Sequence, residues 1–330
     1  MKNNKSCPRK TSVGGQALIE GVMMNGPKGC ALSVRNSSGD IITEQMEFKH
    51  IKDKIKILGA PFIRGIVNYI ETMKFGYKSL MRSAELSGQL EAEEDTENMS
   101  KLDKWLNDHM GPKMLGVITG IATVIAMALG VFLFAYLPTL IVDLMDEHLF
   151  SSKLVDFHAL FEGIMRAAII VLYMFIVSKQ KDIHRVFMYH GAEHKSITCY
   201  EKGLELNVEN VRSCKRFHPR CGTSFIFIIV IISIIVSSIV LILFPALGDK
   251  SLRLVWIVVK ILVILPVVTG ISYEMIKYAG RHDNILTKIF SAPGMWMQRI
   301  TTVEPTDDMI EVGIASIKAV ITDNPEDDSL

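Results

Sequence analysis

Four stretches of this chain are each long enough and apolar enough to cross a bilayer, and no other feature constrains the fold as tightly. A helix needs about 20 mostly apolar residues to span about 30 Å of hydrocarbon. The stretches run roughly over 114–140, 159–178, 225–247 and 254–276. The first and third carry no charge, the second holds Glu162 and Arg166, and the last contains Lys260, Pro266 and Glu274. The chain has 330 residues, 49% apolar and 22% charged, so its apolar residues are gathered into blocks rather than spread through a soluble core. Glu162 and Arg166 stand four apart on one helix face and can pair, with Lys260 within reach of Glu162.

Lys and Arg near the span ends predict the orientation. Asp143, Asp146, Glu147, Asp156 and a single Lys153 separate the first two spans. The next connection is strongly basic, from Lys179 to Arg220, and basic residues return at Lys277, Arg281 and Lys288. Both termini and the central loop are therefore expected in the cytoplasm, in a multi-pass protein of the cytoplasmic membrane. A formal net charge of +1 gives no footprint of a nucleic-acid partner. Five irregularly spaced cysteines fit reduced cytosolic thiols better than a disulfide framework. Met1 to Lys10 is basic with no apolar stretch behind it, so no secretory signal is expected.

The expected fold is an integral membrane α-helical bundle of about four transmembrane helices with a small cytoplasmic α+β N-terminal region. Residues 1–58 form a small β unit, with strands over Ala31–Arg35 and Ile41–Phe48 joined by a turn at Asn36-Ser37-Ser38-Gly39-Asp40. Residues 59–84 form a basic amphipathic helix that either lies on the membrane surface or packs on its own domain. Residues 85–111 are an acidic linker, centred on 91–95, and a lead-in helix. A TM1–TM2 hairpin (112–178), a basic loop (179–222), a TM3–TM4 hairpin (223–276) and a tail (277–330) follow. The tail is expected to hold one short helix, about Asp307 to Val320, capped by Thr306.

The chemistry is expected in the basic loop. His190 and His194 stand four apart, so on a helix both imidazoles face one ion, and Glu193 beside them is placed to accept a proton from an activated water. This is the H-x-x-E-H order. The loop ends in His218-Pro219-Arg220-Cys221-Gly222-Thr223, and the topology brings Glu274 to the same membrane face. The third ligand is one of Glu274, His218 and Cys221. Gly14 to Met24 reads as a structural turn, with Glu20 a further ligand or acid if it folds over the His190 helix.

Gly14 to Met24, the HGAEHK run at 190–195, HPRCGTSF at 218–225 and Glu304-Pro305-Thr306-Asp307-Asp308 together resemble the YqhQ-like family. That is a bacterial membrane family of unknown function, described as predicted metal-dependent enzymes. The resemblance spans nearly the whole chain and supports the membrane placement and the motif set, Arg220 included, but it supplies no substrate. Asn25 stands where the family more often carries Arg, which is expected to weaken a phosphate or carboxylate contact.

Two functions follow as expectations. The first is a metal-dependent enzyme, hydrolytic in type and using a divalent ion such as zinc, acting on a lipid or membrane-protein substrate at the cytoplasmic surface. The second is a non-enzymatic membrane scaffold or assembly factor, with a structural metal or none. A transporter ranks third, because so few spans carry so little intramembrane polarity.

Overall fold

The computed structural model describes residues 10–47, 60, 63–89, 112–148, 150, 157–219, 221–282, 284–322, 324 and 327–328. The acidic run at 91–95 and Arg220 lie outside these residues. The chain divides into two compact units: residues 1–89, 174–228 and 270–330, and residues 90–173 and 229–269.

The first unit is built on a four-stranded antiparallel sheet in the order β1-β2-β3-β4: Gly14–Leu18, Gly21–Gly26, Gly29–Arg35 and Ile41–Met46. The β3–β4 hairpin closes through the expected turn, in which the Asn36 N–H donates to Asp40 O and the Gly39 N–H to Asn36 O, with Gly39 at φ 91°. The segment from Gly14 to Met24 is a correction. It is a second hairpin, in register Leu18↔Gly21 through Gly15↔Met24, and Glu20 takes a left-handed φ of 51° in its turn.

Alternate residues of β2 and β3 enter two different cores. Val22, Met24 and Ala31 join Tyr189, Ala192, Met309 and Ile317, which belong to helices α5 (Lys181–Glu201) and α11 (Asp307–Val320). Leu18, Met23, Leu32 and Val34 instead meet Phe75, Leu80 and Leu86 of α1 (Ile63–Leu86). Helices thus cover both faces of the sheet. Arg82 of α1 clasps Glu44 of β4 with two bonds of 2.9 and 2.6 Å.

The tail departs from expectation in two ways. The predicted helix α11 has the expected bounds, but the Thr306 side chain makes no capping bond. A further helix, α10 (Ile285–Thr301), precedes it and carries Pro293 inside. A capping box on Asn284 and Thr287 starts it, and this satisfies the free amides at its N-terminus.

Four helices are long and apolar enough to cross a membrane: Gly120–His148, His158–Val177, Phe225–Leu243 and Arg253–Tyr278. The first comprises α2 (Pro112–Val131), a π-turn at Phe132–Tyr136 and α3 (Leu137–His148). The second is α4 (His158–Val177), and the third belongs to α7 (Thr223–Leu243). The fourth joins α8 (Arg253–Val259), a π-turn at Lys260–Ile264 and α9 (Leu265–Arg281). The third ends at Leu243 rather than 247, because a 3₁₀ turn at Pro245–Gly248 follows and proline cannot continue a helix. Their outward faces are bulky and apolar, with Ile242 at 76% and Leu254 at 72% exposure.

The second unit carries charged residues that the sequence places within the apolar helices. The Glu162 carboxylate accepts from Arg166 at 2.5 Å and from Lys260 at 2.7 Å, and Lys260 also donates to Thr139 at 2.9 Å. Arg166 completes its set on Phe134 O at 3.0 Å.

A candidate metal centre on α5

Helix α5 carries the H-x-x-E-H run, followed by the short α6 (Val208–Ser213). Gly191 is there for contact rather than flexibility. A Cβ on it would lie 2.0 Å from Val303 O, so the segment after α10 runs directly against the helix backbone. Val303 N–H donates to Phe187 O at 2.9 Å and ties that segment to α5.

The two imidazoles are oriented in the same way. Nδ1 of His190 lies 2.8 Å from Thr301 O, and Nδ1 of His194 lies 2.6 Å from Arg216 O. A carbonyl only accepts, so both Nδ1 atoms carry the proton and both Nε2 lone pairs are free for an ion. Nε2 of His190 is 3.3 Å from Cys221 Sγ. Ligand atoms of His190, His194 and Cys221 all lie within 4.8 Å of one another. Among the described residues, this is the group of His, Cys, Asp or Glu whose atoms converge in this way. Two imidazoles and a thiol are donor types that would suit a zinc-type ion.

Glu193 stands beside the cluster, its Oε2 3.9 Å from His190 Nε2. Burial raises its pKa, while the neighbouring His190 ring and a hydrogen bond from the Gly15 N–H oppose the rise. Burial holds His194 well below the ordinary imidazole range, which keeps it neutral and ready to ligate at pH 7. Burial pushes the Cys221 thiol up to about 11, with Thr223 opposing, so an ion bound there must displace its proton.

The other candidates lie apart from this group. Glu274 is held by Arg64 of α1 in a two-pronged pair of 2.6 and 2.5 Å. His218 turns Nε2 to Glu201 at 3.1 Å, its ring centre 5.8 Å from that of His194. Gln298 braces it by exchanging two bonds of 2.8 Å with its backbone. Burial brings the His218 pKa down to about 4. The β1–β2 hairpin does fold over α5, yet Glu20 pairs with Arg185 and accepts from Tyr189 at 3.1 Å, while Gly15 reaches Glu193. The Glu304-Pro305 motif also packs against α5, where Glu304 pairs with the buried Lys195 and lies 3.4 Å from Arg216.

A cavity of about 380 Å³ opens onto the cluster. It is lined by β1 residues Gly14 to Ala17 on one side and by His190, Glu193, His194, His218 and Cys221 on the other. Sequence reasoning did not find Thr301, Arg216 or Gly15, because each acts through its backbone, which every residue type carries.

A compact α+β unit bearing a His-His-Cys cluster, in a chain with four membrane-length apolar helices, describes the class. Residues 60–323 match the family described as "Protein of unknown function (DUF1385)", and the chain belongs to that family. It is 33% identical over 310 residues to the "Uncharacterized protein YqhQ" of Bacillus subtilis (strain 168), covering 93% of this chain and 92% of that one. No solved structure matches the chain.

Proposed function

We propose that this chain is a multi-pass protein of the cytoplasmic membrane, with both termini cytoplasmic, that hydrolyses its substrate at the cytoplasmic surface with one zinc-type ion. His190, His194 and Cys221 would hold the ion, and Glu193 would be the general base. The observation that carries this reading is the paired Nδ1-to-carbonyl anchoring, which leaves both Nε2 atoms free to ligate, that of His190 3.3 Å from Cys221 Sγ. The membrane placement rests on the four apolar helices and on the basic residues that flank their predicted inner ends.

A divalent ion in such a site supplies Lewis acidity and makes water a nucleophile near neutral pH. Glu193 would take up the proton, and its place beside His190 and His194 puts its carboxylate within reach of a water held there. A polypeptide, rather than a lipid headgroup, is the substrate class we favour. The Gly15 N–H points off the sheet edge to Glu193, and strand alternation turns the polar groups of Ala17 the same way. An extended chain lying along β1 would pair with the groups of Ala17, since the Gly15 N–H is already given to Glu193, and its carbonyl would lie next to Glu193.

Glu193→Gln tests the enzyme reading. With a pool of end-blocked peptides as probe, hydrolysis falls by about 100-fold or more while the metal content and the fold are retained. Equal hydrolysis by the variant would remove Glu193 as the base. A metal-loaded wild type that cleaves nothing would leave a scaffold with a structural ion.

A further inference from the structure

Helix α1 buries its small residues and leaves its bulky apolar ones exposed. Gly65, Gly76, Ser79 and Ser83 face the protein, while Ile70, Met73 and Tyr77 are 47%, 55% and 67% exposed. Ile63, Tyr69 and Met81 continue this exposed side. The small residues are there because the neighbours come close. A Cβ on Gly65 would lie 2.9 Å from the Tyr273 side chain and 3.1 Å from Gly270 Cα, and one on Gly76 would lie 2.8 Å from Gln16 Oε1. The bulky apolar positions recur at 63, 66, 70, 73, 77 and 81, a single stripe at helical spacing.

The ends of two membrane-length helices fix the start of α1. Arg64 pairs with Glu274 and Asn68 donates to Tyr273 at 2.7 Å, both near the end of the Arg253–Tyr278 span. The Tyr69 ring lies 6.1 Å from that of Phe225, the first residue of the Phe225–Leu243 span. The stripe therefore begins beside the ends of two helices long and apolar enough to cross a membrane. Exposed Lys74 and Lys78 flank it, and no acid is exposed on α1 before Glu85.

On the membrane reading above, we propose that α1 lies in the lipid interface, with this stripe inserted among the headgroups and the two lysines set against anionic lipid. A bulky apolar face with interfacial tyrosines and a cationic border, anchored at span ends, is what a bilayer surface recognises. Its function is to hold the β-sheet, and with it the α5 cavity, at the membrane surface.

Tryptophan substitutions in nanodiscs containing anionic lipid test this, read above the parent emission and quenched by brominated acyl chains or by aqueous iodide. Met73→Trp samples the stripe, Thr72→Trp an exposed position of α1 outside the stripe, and Leu262→Trp (Leu262 is 69% exposed) the outward face of the last span. The expected result is loss of Met73→Trp emission to lipid brominated near the headgroup, with a blue shift and no iodide quenching. Thr72→Trp gives the reverse, and Leu262→Trp is quenched by deeply brominated lipid. If Leu262→Trp is quenched by lipid and Met73→Trp is not, the interfacial helix is wrong, whether iodide reaches Met73→Trp or neither quencher does. If no lipid quenches Leu262→Trp, the membrane reading itself fails, and this proposal with it.

Discussion

Gly191→Ala lowers the stability of the sheet-bearing unit by about 3 kcal/mol, although alanine is the better helix former by about 1 kcal/mol. The new Cβ would meet Val303 O at 2.0 Å and Pro305 Cδ at 3.2 Å. The nearest of these is a backbone atom, so no rotamer change relieves the contact. Val303 is itself bonded to Phe187 O, and two residues earlier Thr301 O holds His190. The segment can retreat only by loosening both, and overpacking of this kind costs about 1–3 kcal/mol or more. Gly120→Ala is the control, because its Cβ would meet nothing within 4 Å. Thermal unfolding in detergent compares the two. Equal stability would mean that α5 and the 301–305 segment are not in the contact described.

Glu162→Leu is expected to be as damaging in the second unit, by about 3–5 kcal/mol, because it leaves buried cations without their counter-charge. Glu162 and Lys260 are 3% and 7% exposed, and Arg166 shares the same carboxylate. The cost arises from the stranded charges, not from the lost attraction alone. Adding Lys260→Met should therefore recover much of the loss, with Arg166 still tied to Phe134 O and within 3.3 Å of Ser233. Protease resistance in nanodiscs reads both. A double variant as unstable as the single one would show that the Glu162–Lys260 pairing is not what holds these helices.

Much of this architecture was legible because each legible part rests on a local signal. The apolar runs, the Asn36–Asp40 turn and the acidic start of α11 need only neighbours in sequence. The β1–β2 hairpin did not, since β2 is buried on both faces and reads as Gly-Val-Met-Met with no alternation. Pro293 and Gly294 masked α10, whose capping box outweighs them. The bulky stripe of α1 suited a membrane surface and a core face alike, and only the close approach of Gln16 and Tyr273 shows that its small residues are the buried ones. At the candidate metal centre, spacing alone placed His190, Glu193 and His194 together. Cys221 could not be separated from Glu274 and His218 until their partners, Arg64 and Glu201, were in view. Those partners lie 210 and 17 residues away in sequence.

The central claim is that His190, His194 and Cys221 hold one ion. The direct test is the metal content of detergent-purified protein, wild type against His190→Ala/His194→Ala and against Cys221→Ala. We expect about one equivalent of a zinc-type ion in the wild type, lost from the folded double variant and weakened or lost with Cys221→Ala. No ion in the wild type after reconstitution, or the same content in all three proteins, would contradict the site.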